Sequence, residues 1–212
     1  DVKVKDTKGK IKKAKIGKKV YPSDIIITGK DSRAKVIMVD KNVINVSPAS
    51  QVEIEKYDYE PSKKKKNVLL NVIYGKVRSK VNQKYDGNKN KFQVKTPSAV
   101  AGVRGTDFFT SYNTSSQATQ VVTFEGEVSY GLPDASGGIR NAVSVKAGQM
   151  AEAKAGAAPE APVSVPQNQL ASMDADSDAD KAPDAGGGDD RAPASDSSGE
   201  DEGGDEAEAE GE

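Results

Sequence analysis

An all-β fold, a short-stranded roll or solenoid-like sandwich, is the class that the sequence predicts for residues 1–150, and three observations predict it. Apolar residues recur there at a period of two. β-branched types dominate them, and Gly, Pro, Asn and Asp break the pattern roughly every ten residues. Taken in order, Val2-Lys3-Val4 alternates, residues 11–16 do so more loosely, and residues 24–28 form a short apolar run. Ala34-Lys35-Val36-Ile37-Met38-Val39, Val43-Ile44-Asn45-Val46 and Val52-Glu53-Ile54-Glu55 follow, separated by Asp40 to Asn42 and by Ser47-Pro48. Residues 68–73, Phe92-Gln93-Val94, Val121-Val122-Thr123-Phe124 and Val143-Ser144-Val145 complete the set, with breakers at Asp86-Gly87-Asn88, Pro97, Gly102, Gly105, Gly126, residues 131–138 and Gly148. No stripe of helical period stands out in this region.

The 212 residues carry 31 Lys and Arg against 32 Asp and Glu, and the net charge of −1 hides two unlike halves. Through Met150 there are 28 basic and 14 acidic residues, a balance of +14; from Ala151 onward there are 3 and 18, a balance of −15. All 7 Tyr and 4 Phe lie at or before Tyr130. The expected organisation is therefore one domain over residues 1–150 and an acidic Ala/Pro/Gly/Asp/Glu-rich tail over residues 151–212. Such a tail buries too little apolar surface to offset the entropy of ordering it, and is expected to be disordered.

The chain has no Cys and no His, which removes disulfides, thiolate chemistry, Cys-based zinc sites and the commonest general base. No cofactor and no metal is expected. Asp174, Asp176, Asp178 and Asp180 alternate as in a calcium loop, but the required Gly and Glu positions hold Ala179 and Ala185, so calcium binding is not expected. No apolar run approaches the roughly 20 residues of a membrane helix. The chain opens at Asp1, as a mature chain does once an export signal has been removed, and as a trimmed chain also does.

Two internal echoes appear. Val72-Ile73-Tyr74-Gly75-Lys76-Val77 is similar to Thr123-Phe124-Glu125-Gly126-Glu127-Val128, and Val46-Ser47-Pro48-Ala49-Ser50 to Lys95-Thr96-Pro97-Ser98-Ala99. They fit either two stacked layers or chance reuse of Gly and Pro turns. The least ordinary stretch runs from Thr96-Pro97 through Gly102-Val103-Arg104-Gly105-Thr106-Asp107-Phe108. It lacks the Lys-Ser/Thr ending of a phosphate loop, and no helix follows it.

This string resembles the hallmark of the FecR domain. Gly29 to Val36, Val43 to Ser50, Val72 to Val77 and Val121 to Val128 are similar to its other elements, so the resemblance covers most of residues 8–150. The family residues carried over are Thr96, Pro97, Gly102, Arg104, Gly105, Thr106, Phe108 and Gly126, in structural roles. Arg104 is expected to bond Asp107 or loop carbonyls. The resemblance implies an extracytoplasmic, periplasmic β domain that is not an enzyme and acts by contact with a protein of the bacterial envelope. The chain shows no sigma-binding helical domain, membrane helix or receptor-binding module, so a stand-alone exported protein is expected ahead of the periplasmic segment of a transmembrane anti-sigma regulator. A cell-wall or carbohydrate-acting enzyme is the alternative of another class, and it lacks an evident carboxylate pair.

The lysines, including Lys63, Lys64, Lys65 and Lys66, also suit an anionic surface or polymer. Lys outnumbers Arg and no nucleic-acid motif is present, so nucleic acid is not the expected partner. The near-cancelling charges lead to one more expectation: the acidic segment folds back over the basic domain and competes with anionic partners.

Overall fold

The computed structural model describes residues 1–63, 65–86 and 90–180. The strands are β1 (Val2–Lys5), β2 (Ile11–Lys13), β3 (Ile25–Thr28), β4 (Ala34–Ile37), β5 (Val43–Val46), β6 (Gln51–Glu60), β7 (Lys65–Lys80) and β8 (Lys91–Lys95). They continue as β9 (Val100–Val103), β10 (Asp107–Asn113), β11 (Ala118–Glu125), β12 (Glu127–Pro133), β13 (Ile139–Lys146), β14 (Gln149–Lys154) and β15 (Val163–Ser164), and a helix α1 (Gln167–Ser177) follows. The all-β expectation holds.

The strands form two arms that share β7. One arm has the order β2-β1-β3-β6-β7-β8-β9-β12-β13, and the other β4-β5-β7-β10-β11-β14-β15. Every pairing among the described residues is antiparallel except β7 with β8. Cross-strand register assembles the core, because residues directly opposite one another project to the same face. Val68, Phe92, Val103, Val128 and Val145 make one such row across the first arm, and Leu70, Val94, Ala101 and Tyr130 the next. All nine are buried, and they pack in one cluster with Val77, Phe108, Tyr112 and Val121 of the second arm. The arms therefore close on each other as a sandwich.

The first echo marks the corners of this sandwich. Before Gly75, β7 pairs with β6 and β8 of the first arm; after it, with β5 and β10 of the second. Gly126 separates β11, in the second arm, from β12, in the first. Both glycines have positive φ, +85° and +81°, a conformation that side chains resist. A glycine at each corner lets a strand leave one layer for the other, which is why β7 can run for 16 residues.

A buried polar knot pins the β4–β5 hairpin. The Tyr85 hydroxyl and the Asn42 amide both donate to Asp40 Oδ2, at 2.9 and 2.8 Å, and the Asp40 N–H donates to the Tyr57 hydroxyl at 3.0 Å. Burial pushes the Tyr57 hydroxyl up to about 12. The knot fixes the tip of the hairpin whose first strand carries Lys35.

The boundary expected at residue 150 is corrected. β14 crosses it, with Ala151 and Ala153 in the main core, and β15 and α1 follow. Alternating small residues fill the layer beside β11, so strand formation here needs no large apolar side chain. The order extends through residue 180, and the tail expected beyond that point lies outside the described residues, as do Lys64 and the Gly87-Asn88 part of an expected turn.

Candidate interaction site

The family-type string has mainly structural duties. Thr96 Oγ1 accepts the N–H groups of Ser98 and Ala99, at 3.2 and 3.0 Å, closing the turn that holds Pro97. A β-carbon on Gly102 would stand 2.9 Å from Ile139 Cδ1, so the glycine lets β13 fold closely over β9. Gly105 has φ +126°, and its carbonyl oxygen would lie 2.9 Å from a β-carbon at Gly126. Gly126 is thus required by the close approach of the Gly105 carbonyl, and Gly105 by its own backbone angle. Thr106 Oγ1 donates to the Glu127 carbonyl at 3.0 Å, and Phe108 is fully buried.

Arg104 departs from expectation. It is exposed on the rim of an open groove of about 630 Å³ lined also by Gln93, Gly102, Thr106 and Glu127, and among the described residues it makes no ion pair. Asp107, its expected partner, is engaged elsewhere. The alternation of β10 turns Asp107 to the opposite sheet face. Arg104→Ala should accordingly leave the melting temperature within about 1–2 °C, since exposed substitutions away from special features stay within about 0.5 kcal/mol. Thermal unfolding followed by circular dichroism checks this, and a loss of several degrees would return Arg104 to a structural role.

The partner of Asp107 is Arg78, which the sequence reading did not single out. Arg78 is 3% exposed, and its Nε and Nη2 each donate to the Asp107 carboxylate at 2.8 Å. Nη1 meets the Asp174 carboxylate at 2.6 Å and donates to the Asp174 carbonyl at 2.9 Å. The guanidinium also lies 4.1 Å from the Phe124 ring centroid. Burial by itself would lower its pKa, but the Asp107 and Asp174 carboxylates more than offset this and hold it above the ordinary arginine value.

Register explains the position. Lys35, Asn45, Arg78, Phe109, Val122 and Met150 form one row across β4, β5, β7, β10, β11 and β14, on the face away from the main core. The apolar end of that row is covered by Val165, Leu170 and Met173 in a second, smaller cluster. At the basic end, the acids that follow sit on four cations. Asp176 pairs with Arg33 at 3.0 Å, Asp178 with Lys80 at 2.5 Å and Asp180 with Lys35 at 2.5 Å. Asp174 and Asp178 thus reach β7, while Asp176 and Asp180 reach the β4 side. The alternation that looked like a calcium loop is matched to two strands of alternating cations. The expected fold-back of the acidic segment is present in residues 174–180.

Burial alone would raise the Asp178 pKa, but Lys80 and the Asp180 N–H lower it below the ordinary carboxylate value, with Arg78 adding to the effect. A depressed folded-state value contributes stability that is present above the unfolded value of about 3.9 and is lost as pH falls through the folded one. The hydrogen-exchange protection factors of the α1 amides, taken against the intrinsic exchange rate at each pH, should therefore fall below about pH 4 while those of the β7–β10 amides are retained. An equal change of protection in both regions would show that no local release occurs.

These features define a two-layered all-β domain that carries an ion-paired basic strip on the outer face of its second arm. Residues 24–129, half of the chain, match the FecR protein family, and the chain belongs to that family. Two crystal structures of a candidate anti-sigma factor from Parabacteroides distasonis ATCC 8503 share the fold, with TM-scores of 0.55 and 0.53 at 12% and 13% identity. In each case 71% of this chain aligns, and it spans 64% of the length of the matched one. No curated protein matches the sequence. Among the described residues no helix is long and apolar enough to cross a membrane.

Proposed function

We propose that the protein is a non-catalytic, extracytoplasmic FecR domain that works by contact with a protein of the bacterial envelope. The observation that carries the reading is the strip of Arg33, Lys35, Arg78 and Lys80, a polar site built to receive carboxylates of a polypeptide. Family membership supports a regulatory rather than an enzymatic role. The likeness to candidate anti-sigma factors favours a second reading, in which the domain is the periplasmic signalling segment of a transmembrane regulator. The sequence of the precursor separates the two: a cleavable signal supports the first, an upstream helical domain and membrane span the second.

Photo-cross-linking in the native envelope tests the protein-contact reading. Cross-linkers placed at the exposed Arg104 and Val39 sample the two arms. A discrete adduct with one envelope protein is the expected result. Retention of the chain in the cytoplasm, or hydrolysis of cell-wall glycan by the purified protein, would overturn the proposal.

A further inference from the structure

The segment that occupies the basic strip is a poor fit for it. Asn45 lies in the row between Lys35 and Arg78 and is 2% exposed, yet neither its amide N–H₂ nor its carbonyl oxygen finds a hydrogen-bond partner among the described residues. The Nε of Arg33 is buried in the same condition. Buried polar groups are nearly always satisfied, and leaving them unsatisfied is costly. The helix leaves an open cleft of about 360 Å³ between itself and the sheet, lined by Arg78, Lys80, Phe124, Gln167 and Leu170 among others.

α1 is also a marginal helix. It has 11 residues, no side-chain hydrogen bond at its amino end, and only Leu170 and Met173 in the second cluster. Helices of that length do not persist alone in water. It is tethered by residues 155–166, rich in Ala and Pro, so after release it stays at high local concentration. Ion pairs hold it, and these are the contacts that a competing anion exchanges most readily.

We infer that the Arg33–Lys35–Arg78–Lys80 strip is the docking site for an acidic peptide segment of a partner protein, and that residues 167–180 occupy it as a displaceable internal stand-in. Asn45 selects the class of ligand. Its unmet donor and acceptor match a peptide unit, which offers both a carbonyl and an N–H, whereas a lipid phosphodiester supplies acceptors alone. The cations then require carboxylates at alternate positions, as Asp174 to Asp180 present them. The assignment rests on the protein-contact reading above and names the face and the chemistry of that contact.

The test compares the full chain with its D174N/D176N/D178N/D180N variant, using a fluorescent synthetic peptide that copies residues 167–180 as the probe. At low salt the variant should bind the peptide at least about tenfold more tightly, because the tethered competitor has been weakened. Adding R33Q and K35Q should return binding to the level of the unmodified chain. If the fourfold variant loses its fold, D176N/D180N carries the same comparison, since it leaves the Arg78 and Lys80 pairs intact. Unchanged affinity, binding indifferent to R33Q/K35Q, or tighter binding to phosphatidylglycerol vesicles or polygalacturonate than to the peptide would each overturn the inference. An envelope protein captured by cross-linking alongside a failed peptide test would remove this strip assignment while leaving the protein-contact reading in place.

Discussion

Arg78→Met is expected to lower the free energy of unfolding by about 3–5 kcal/mol, the range for removing one partner of a buried ion pair. The loss has two parts. Asp107, 15% exposed at its side chain, would keep its charge without the two guanidinium hydrogen bonds that satisfy it, and Asp174 would lose the Arg78 contact that seats α1. Much of the cost is the orphaned carboxylate rather than the bond itself. The double variant R78M/D107L should therefore recover a large part of the loss, because it removes the Asp107 carboxylate together with the guanidinium that satisfied it. Urea unfolding of the wild type, both single variants and the double variant completes the cycle. A cost for Arg78→Met below about 1 kcal/mol would place Arg78 with ordinary surface pairs.

Gly75→Ala is expected to cost about 3 kcal/mol or more, through two additive penalties. The φ of +85° is left-handed, worth roughly 1–2 kcal/mol against any residue with a β-carbon. That β-carbon would also stand 2.6 Å from the Ser50 Cα, and Ser50 cannot retreat, because its Oγ accepts the Lys76 N–H at 2.9 Å. Overpacking of a buried site adds roughly 1–3 kcal/mol. Gly9 supplies the control: its φ is +79°, but nothing lies within 4 Å of the added carbon. Gly9→Ala should show the conformational penalty alone. Equal melting temperatures for the two variants would mean that the close approach of Ser50 to Gly75 contributes nothing.

Removing the acidic segment at the boundary expected from composition would damage the domain itself. Cutting at Ala151 would take away β14, whose Ala151 and Ala153 belong to the main core. Only a cut beyond residue 180 spares residues 167–180 and the sheet together.

Strands were legible because two-residue alternation is a local signal, and the rows built on Val68 and Leu70 are that signal carried across neighbours. The matching glycine motifs at Gly75 and Gly126 were visible as a repeat, although their role as corners was not. Residues 151–154 escaped because the side chains that alternate inward are alanines, which resemble a disordered tail in composition. α1 escaped because Leu170 and Met173 are too little apolar surface to mark a helix face. Arg104, set between two glycines, looked like the residue to be held in place, and it is the one left exposed.

The sequence by itself determined the β class, the repeated glycine turns and the separation of charge, since each follows from the preferences of residues adjacent along the chain. Only the tertiary structure decided which of 28 cations in residues 1–150 would matter. Arg78 is buried because register sets it in one row with Asn45 and Phe109, and because Asp174, 96 residues away, closes over it. Burial and pairing of a charge depend on neighbours brought together by strand order, and no local pattern encodes them.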